Sequence, residues 1–568
     1  MFTESLKRRR LLTGAFLLSL ILVFLLAGCT GRTQGQAAIA SSHPLATAAG
    51  MEILAAGGNA FDAAVAVSAA LAVVEPYGSG LGGGGFWLLH RAADAFETMV
   101  DGRERAPLAA TRDMYLDAGG EVVSGLSING PLAAAIPGEP AALVHIAERY
   151  GRLPLKRTLE PAIRLARHGF EVDPYYNRLV NFRLAAMQAD TETARLFLQD
   201  NATPTVGHRI VQPELAATLE ALAVHGRDGF YAGRVAEQLV DGVRRGGGIW
   251  TLEDLTQYAV VEREPVTGTY QGLRMVSAAP PSSGGVVLVT MLNILSGFPL
   301  QDLDEATRTH VIIEAMRRAY RDRAEFLGDP DFTDLPVARL TGTAHAAGLR
   351  ESIQPERATP SGALPDMKLP AEGRDTTHFS ILDSEGNRVA ATLSINYPFG
   401  ACFTPPGTGV LLNDEMDDFS AKPGVPNVYG LVGAEANSIA PGKRPLSSMS
   451  PTFVENRDGV AILGTPGGSR IITMVLLAVL DHAEGGTPQS LVSLPRFHHQ
   501  YLPDMVQYEV GAFDDDLVGA LQARGHVLKV LDAPYGNMQA IYHDRKTGRA
   551  SAASDPRGIG LSEVRPVN

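Results

Sequence analysis

A predicted β-hairpin brings a threonine, a serine and an asparagine together at one of its ends. Alternating apolar and polar residues predict strands over residues 376–382 and 388–396, with a turn between them. Because the turn is centred near residue 385, an antiparallel register places Thr376 opposite Ser394. The two-residue period of a strand puts Ser394 and Asn396 on one face. A hydroxyl and an amide therefore meet the Thr376 hydroxyl, an arrangement suited to nucleophilic chemistry.

A glycine-rich turn offers backbone N–H groups to an anion. Residues 459–463 read as a strand, residues 464–468 as the turn, and residues 471–480 as a helix. Unpaired N–H groups in such a turn form a nest that accepts a carboxylate or an oxyanion. Taken alone, the segment is better explained as a closely packed turn that binds nothing.

Arg103 and Cys402 are two further candidates for chemistry. The planar guanidinium of Arg103 suits bidentate recognition of a carboxylate, although a surface ion pair also accounts for it. Cys402 could serve as a nucleophile, but a lone cysteine is more typical of a small buried apolar residue.

Several common functional motifs do not fit the sequence. Gly78, Gly80 and Gly83 have the dinucleotide-binding spacing, but a helix precedes them and a strand follows, the reverse of the order that motif needs. A close-packed turn explains them better. The sequence contains no P-loop, H-E-x-x-H or G-x-S-x-G motif. His498 and His499 are adjacent and would point apart, so we interpret them as structural and predict no metal site.

Composition limits the class of protein further. The chain has 568 residues, of which 45% are hydrophobic and 20% are charged, so it can bury a large core. Its formal net charge is −13, and the basic residues cluster only at the N-terminus. This charge argues against a nucleic-acid partner or a broad anionic-membrane surface.

The N-terminus has the pattern of a secretory signal. Basic residues 7–10 precede a nearly apolar run over residues 11–26, and Leu26, Ala27, Gly28 and Cys29 follow at once. These four residues resemble a bacterial lipobox, which implies that residues 1–28 are removed and that Cys29 binds membrane lipid. An uncleaved transmembrane anchor is the alternative. In either case we expect the bulk of the protein to lie outside the cytoplasm. The lipobox further implies a protein of the cell envelope, exported and lipid-anchored on the periplasmic side or at the cell surface.

The remaining pattern divides the chain at about residue 376. Residues 44–56 and 59–74 predict two buried helices, with Asn59 capping the second, and residues 86–90 predict a strand. Amphipathic helical patterns dominate residues 140–350, which we interpret as scaffold. Prolines recur every five residues over 355–370 with little apolar content around them, so we expect no compact structure there.

Four sequence blocks carry a resemblance to a known family. They are Thr376 to His378, Leu412 to Ser420, Lys443 to Ser450, and Pro466 to Arg470, and the stretch from Pro280 to Gly285 matches as well. Together they resemble the γ-glutamyltranspeptidase (glutathione hydrolase) family over nearly the whole mature chain. The resemblance implies an N-terminal nucleophile hydrolase of the α+β class, a four-layer αββα sandwich. It also implies a proenzyme that cuts itself into a large subunit (29–375) and a small catalytic subunit (376–568), which remain partners in one unit.

The resemblance assigns the groups that react. Cleavage falls between Asp375 and Thr376, and Thr376 becomes the nucleophile. Gly467 and Gly468 supply oxyanion N–H donors. Ser394 stands where the family usually has threonine; its hydroxyl is retained, so the hydrogen bond to the nucleophile should survive.

Other implied roles concern the substrate. Arg103 binds the α-carboxylate, helped by the hydroxyls of Ser447 and Ser448. Tyr429, within residues 423–431, matches the aromatic tip of a lid. The residues implied to hold the α-ammonium are Asn396, Glu415 and Asp418.

The chemistry of threonine agrees with this assignment. A threonine hydroxyl is a poor nucleophile without a base, and cutting before Thr376 creates an α-amine with a reference pKa of about 7.7 to 8.0. Cleavage thus creates the α-amine that can act as the base for the Thr376 hydroxyl, and no cofactor is needed. We expect a γ-glutamyl hydrolase and transferase that acts on glutathione or related compounds, with water or an amino acid or peptide as acceptor. The alternatives are a glutaryl or cephalosporin acylase on the same scaffold, and a lipoprotein that binds γ-glutamyl compounds without turnover.

Overall fold

Two antiparallel β-sheets form the centre of the molecule, for which a computed structural model describes residues 35–363 and 376–566. The larger sheet contains β1 (Gln36–Ser41), β2 (Gly84–Arg91), β3 (Phe96–Gly102), β6 (Val261–Arg263), β9 (Thr377–Leu382), β10 (Arg388–Ser394) and β18 (Leu561–Pro566). The smaller sheet contains β7 (Val266–Tyr270), β8 (Leu273–Ser277), β11 (Thr452–Glu455), β12 (Gly459–Gly464), β16 (Gln539–Asp544) and β17 (Arg549–Ser554). The spatial orders are β18-β1-β9-β10-β2-β3-β6 and β17-β16-β12-β11-β8-β7.

Short strands and helices complete the fold. The short strands are β4 (Phe170–Glu171), β5 (Arg209–Ile210), β13 (Phe497–His498), β14 (Val506–Tyr508) and β15 (Leu528–Val530). The helices before residue 260 are α1 (Pro44–Ala55), α2 (Ala60–Val74), α3 (Glu139–Tyr150), α4 (Leu155–His168), α5 (Pro174–Ala189), α6 (Thr191–Phe197), α7 (Pro213–His225), α8 (Asp228–Tyr231), α9 (Gly233–Arg245) and α10 (Leu252–Thr256). The later helices are α11 (Gly284–Leu295), α12 (Glu305–Phe326), α13 (Val337–Leu340), α14 (Thr343–Glu351), α15 (Ile471–Ala483), α16 (Pro488–Ser493) and α17 (Asp515–Ala523).

The larger sheet separates two parts of the hydrophobic core. On its outer face Ile39, Trp87 and Phe379 pack against helices from the first half of the chain. On its inner face Phe86 joins Phe453 of the smaller sheet in a core that continues to α11, α12 and α15. Phe86 and Trp87 are neighbours that face opposite ways, as the two-residue period of a strand requires. The order helix, sheet, sheet, helix confirms the expected αββα sandwich.

The first two helices are buried for reasons that the sequence contains. Asn59 caps α2 by accepting hydrogen bonds from the N–H groups of Phe61 and Asp62, and the Asp62 carboxylate accepts one from the Asn59 N–H. Gly50 lets α1 approach β1 closely, because a Cβ there would lie 2.6 Å from the Ile39 side chain. The predicted helices and cap are confirmed.

The predicted hairpin is also confirmed, with its register. Thr377 pairs with Leu393, so Thr376 lies opposite Ser394, one residue beyond this last pair. The strands are one and two residues shorter than predicted, at Thr377–Leu382 and Arg388–Ser394. The second strand ends early because Asn396 has a φ of +74°, which an extended strand does not contain.

The expectation of no compact structure over residues 355–370 is wrong for the first half of that stretch. The Thr359 N–H donates to Glu314 on α12, and the Ser361 N–H donates to Asp504. The Arg317 guanidinium of α12 also donates to the Ser361 hydroxyl at 2.6 Å. Polar anchoring replaces the missing apolar contacts here, whereas residues 364–370 lie outside the described residues.

The predictions about the two processing sites fall outside the described ranges. They are the signal peptide over residues 1–28, the lipidated Cys29, and Asp375 before the scissile bond. None of the helices in residues 35–363 and 376–566 has the length and apolarity needed to cross a membrane.

Candidate active site

One small pocket contains most of the residues that the sequence predicted to act together. It is lined by nine of them, namely Arg103, Thr376, Ser394, Asn396, Asp418, Tyr429, Ser447, Ser448 and Gly468. Gly467 precedes Gly468 in the same turn, and Glu415 contacts Arg103 from behind the pocket wall. Residues distant in the chain therefore converge on Thr376.

Thr376 stands where β9 begins, and a buried network holds the start of this strand. The Thr377 hydroxyl donates to the Glu75 carboxylate at 2.6 Å and lies 2.5 Å from the Ser42 hydroxyl, which also donates to Glu75. Burial raises the pKa of Glu75, while these hydroxyls lower it. Sequence reasoning did not find Glu75 and Ser42. Nothing local signals their role, since it depends on contacts more than 300 residues apart in sequence.

Ser394 and Asn396 flank Thr376 at the open end of the hairpin. The Ser394 Oγ accepts a hydrogen bond from the Asn396 N–H at 2.8 Å, which supports the turn out of β10. The Asn396 amide donates to the Asp414 carbonyl at 3.0 Å. The hydrogen bond from Ser394 to the nucleophile stays a prediction.

Arg103 lies at the centre of a buried charge cluster rather than in a surface ion pair. Its side chain is 1% exposed, and its nitrogens lie 2.7 Å from Glu415 and 2.5 Å from Asp418. Glu104 approaches the same guanidinium at 3.5 Å. Burial raises the pKa of Glu415 well above its usual range, and Arg103 opposes this rise. The alternative of a surface ion pair is therefore wrong about the surface position, although Arg103 is ion-paired.

The two predicted serines are held in place by elements from the first half of the chain. Ser447 pairs with the cis-proline loop, since its N–H donates to the Pro281 carbonyl at 2.8 Å. The Ser448 hydroxyl accepts a hydrogen bond from Arg323 on α12 at 3.2 Å. Interpreting α12 as scaffold alone is therefore incomplete, because Arg323 hydrogen-bonds to a residue that lines the pocket. A helical pattern does not reveal which of its charged residues turns inward.

The glycine-rich turn has the backbone that the nest hypothesis needs. Gly467 and Gly468 have φ values of +142° and +56°, a region that favours glycine. Tyr429 covers this turn and donates a hydrogen bond from its hydroxyl to the Asn396 carbonyl at 2.6 Å. A Cβ at Gly468 would lie 2.6 Å from the Tyr429 ring. The lack of a side chain at Gly468 thus lets the Tyr429 ring pack directly against the turn.

Replacing Gly468 by alanine should lower kcat/KM about five-fold. The Cβ would displace Tyr429, and a left-handed backbone costs a non-glycine residue ~1 kcal/mol or more. Steady-state kinetics on purified variants would measure the loss. Gly348→Ala is the matched control, because a Cβ at this helical position meets nothing within 4 Å. Equal losses in both variants would contradict a fitted turn.

The remaining candidates lie away from the pocket. His498 hydrogen-bonds with Thr473 and Gln500, whereas His499 faces Asp504, so the two rings do point apart. Cys402 is buried, and its sulfur lies 3.1 Å from an Arg183 nitrogen.

Of the three glycines with the dinucleotide-binding spacing, Gly83 is closely packed as predicted, because a Cβ there would lie 2.2 Å from the Ser394 carbonyl oxygen. The prediction does not hold for Gly78 and Gly80, where a Cβ would make only ordinary contacts, at 3.4 Å and 3.9 Å. Among the described residues, the side chains close enough together to hold a metal are His310, Glu314 and His526. Arg317 and Arg318 already pair with Glu314.

Comparisons with known proteins agree on one family. The family model described as gamma-glutamyltranspeptidase matches residues 46–564. A glutathione hydrolase proenzyme of Pseudomonas sp. (strain A14) is 45% identical over 497 residues, covering 86% of this chain and 85% of that protein. The glutathione hydrolase proenzyme of Escherichia coli (strain K12) is 43% identical over 531 residues, covering 92% and 91%. The crystal structure of a cephalosporin acylase from Bacillus halodurans superposes with a TM-score of 0.81 at 28% identity, covering 93% of this chain and 96% of that one.

Proposed function

Since this chain belongs to the gamma-glutamyltranspeptidase family, we propose that its pocket cleaves γ-glutamyl amides such as glutathione and passes the γ-glutamyl group to water or to an amine. The observation that carries this proposal is the position of Thr376 in one pocket with the buried cluster of Arg103, Glu415 and Asp418. A nucleophile next to paired opposite charges suits a substrate whose far end is a zwitterion.

The charges of the cluster favour an amino-acid head group. Glu104, Glu415 and Asp418 surround Arg103, so three carboxyl groups share one guanidinium. Burial raises the pKa of Glu104 to about 8 and the pKa of Glu415 well above its usual range, and a bound α-ammonium would favour their ionised forms. Both oxygens of Glu415 accept no hydrogen bond of good geometry from the described residues. An α-ammonium group would supply the missing donors, with Asn396 as a further partner, while the α-carboxylate binds Arg103 and the hydroxyls of Ser447 and Ser448.

The chemistry runs through Thr376 in two stages. In the precursor, the Thr376 hydroxyl attacks the carbonyl of Asp375, and the amide C–N bond breaks, so that the ester forms and the protonated α-amine is freed in the same step. Water then hydrolyses the ester, which releases the carboxylate of Asp375 and restores the Thr376 hydroxyl. In the mature enzyme this amine takes the proton of the hydroxyl as Oγ1 attacks the γ-carbonyl. The leaving amine departs with that proton. Water or an acceptor amine then releases the γ-glutamyl group from the ester.

Three groups around Thr376 would assist. Ser394 would hydrogen-bond to the nucleophile, and the N–H groups of Gly467 and Gly468 would bind the oxyanion. Tyr429 would close over the bound γ-glutamyl group, as its contacts with the glycine turn suggest.

A glutaryl or cephalosporin acylase is the second candidate, favoured by the structural similarity to an acylase. A glutaryl group lacks the α-ammonium, so Glu415 and Asp418 would be left without a ligand. Comparing kcat/KM for γ-glutamyl and glutaryl p-nitroanilides separates the two functions. We expect γ-glutamyl turnover to be at least about tenfold faster, since a lost charge-assisted hydrogen bond costs ~1.5 to 3 kcal/mol. Faster glutaryl turnover would favour the acylase.

Processing and location complete the proposal. We infer removal of residues 1–28, lipid attachment at Cys29 in the cell envelope, and division into subunits 29–375 and 376–568. Intact-mass measurement of purified active protein should find two chains, one starting at a lipidated Cys29 and one at Thr376. A single unbroken chain in active protein would overturn the mechanism, whereas an unmodified Cys29 would overturn only the anchor.

A further inference from the structure

Arg323 of α12 is a buried cation directly behind the wall of the active-site pocket. Its side chain donates hydrogen bonds to two hydroxyl groups, Ser283 Oγ at 2.9 Å and Ser448 Oγ at 3.2 Å. No carboxylate among the described residues forms an ion pair with it, although Asp418 lies near enough to act on its charge. Buried charges are normally paired with an opposite charge, so an arginine held only by hydroxyls calls for a functional explanation.

The polarity of these hydrogen bonds determines which way the serine protons point. A guanidinium can only donate, so the Ser448 Oγ accepts from Arg323 and keeps its own proton for another acceptor. The Ser447 Oγ is in the same state, because it accepts a hydrogen bond from the Met449 N–H at 3.1 Å. Both serines line the pocket. Each hydroxyl can therefore donate to an acceptor inside it.

The second contact of Arg323 holds the backbone of the same two serines. The Ser283 hydroxyl accepts from Arg323 and donates to the Ser447 carbonyl at 2.7 Å. The Ser283 N–H donates to the same carbonyl at 2.8 Å. One guanidinium thus fixes the hydroxyl of Ser448 directly and the backbone of Ser447 through Ser283.

The charge of Arg323 matters because the other cation of the site is already shared. Glu415 and Asp418 contact Arg103, so a substrate α-carboxylate that approaches Arg103 also approaches these two carboxyl groups. A second cation behind the serines offsets the resulting repulsion. We propose that Arg323 is a positioning residue for the α-carboxylate, which directs both serine hydroxyl protons toward the substrate and adds positive charge behind them. This inference rests on the proposed function and adds a residue to it.

The test compares two p-nitroanilides, the γ-glutamyl compound and the 4-aminobutyryl compound, which lacks the α-carboxylate. Arg323→Gln removes the charge and should raise KM for the γ-glutamyl compound about five- to tenfold, the scale of one net hydrogen bond, with kcat within about two-fold of wild type. Turnover of the 4-aminobutyryl compound should change by less than about two-fold. Arg323→Lys keeps a charge and a donor, so it should show a smaller loss, confined to the same compound.

A double-mutant cycle separates positioning from a general structural role. Ser448→Ala and Arg323→Gln should each raise KM for γ-glutamyl p-nitroanilide. Together they should raise it by less than the product of the two separate effects, because Arg323 acts in part through Ser448. Effects that multiply would mean that Arg323 does not act through Ser448 and would overturn the inference.

Arg321→Gln is the matched control, because Arg321 belongs to the same helix but pairs with Glu325 at 2.6 Å, away from the pocket. It should keep the wild-type KM for both compounds. A loss shared equally by both compounds in the Arg323 variants would also overturn the inference, while γ-glutamyl turnover by the wild type still supported the proposed function. Absence of γ-glutamyl turnover in the wild type would instead overturn the function itself.

Discussion

Replacing Thr376 by alanine is expected to leave a single uncut chain without measurable γ-glutamyl turnover. In the proposed mechanism, the hydroxyl that attacks Asp375 and the α-amine that later acts as the base belong to the same residue, so one substitution removes both steps. Enzymes that lose a catalytic nucleophile lose roughly 10⁴-fold or more in kcat. The expected effect is the largest of any single change in this chain.

Denaturing electrophoresis and intact mass would report the cut, and a γ-glutamyl p-nitroanilide assay would report turnover. Thr376→Ser is the matched control, because it keeps a hydroxyl and the future α-amine and should still cut and turn over. The start of β9 should not unfold in either variant, since the anchoring network uses Thr377 rather than Thr376. Normal cleavage of the alanine variant would place the scissile bond elsewhere.

Replacing Arg103 by lysine should preserve self-cleavage and remove most γ-glutamyl turnover. Self-cleavage involves no substrate carboxylate. Binding of the substrate α-carboxylate, in contrast, needs the planar guanidinium with its two parallel N–H donors, which the ammonium of lysine cannot reproduce. A loss of ~1.5 to 3 kcal/mol corresponds to about a ten- to hundredfold fall in kcat/KM. The change should appear mainly in KM, because the α-carboxylate is held equally in the ground and transition states.

Kinetics with γ-glutamyl p-nitroanilide and with 4-aminobutyryl p-nitroanilide, which lacks the α-carboxylate, would locate the effect. The second compound should be turned over slowly and almost equally by wild type and variant. Arg105→Lys is a suitable control, since Arg105 is close by and donates to the Gly442 carbonyl without contacting the pocket. If the wild type handled both compounds equally well, Arg103 would be a structural cation that recognises no substrate carboxylate.

Local sequence patterns predicted the parts of the fold that depend on near neighbours. The cap at Asn59 uses residues three apart, and the register of β9 and β10 follows from a short turn. The site residues came from a family resemblance, and the structure brings them into one pocket because β9, β10 and the glycine turn lie on facing sheets.

Contacts between distant segments were not predictable in the same way. Glu75 supports Thr377 across 302 residues, and Arg323 reaches Ser448 from the middle of a long helix. The anchoring of residues 355–363 was missed for a related reason. Low apolar content argued against packing, but buried arginines of α12 supply hydrogen bonds that composition does not reveal.

The order of strands in the larger sheet affects the stability of the protein after the proposed cleavage. β1 precedes the proposed cleavage point before Thr376 and lies between β18 and β9, which both follow that point; β10, which also follows it, pairs with β2, which precedes it. The two products of the cut are thus interwoven, and neither can leave without breaking several rows of backbone hydrogen bonds. Dilution should not separate them. Once unfolded, however, the mature enzyme has to reassemble from two chains, a concentration-dependent encounter that the uncut precursor avoids. In the proposed processing, cleavage therefore converts a single chain, whose refolding needs no partner, into a two-chain protein whose stability depends on slow unfolding.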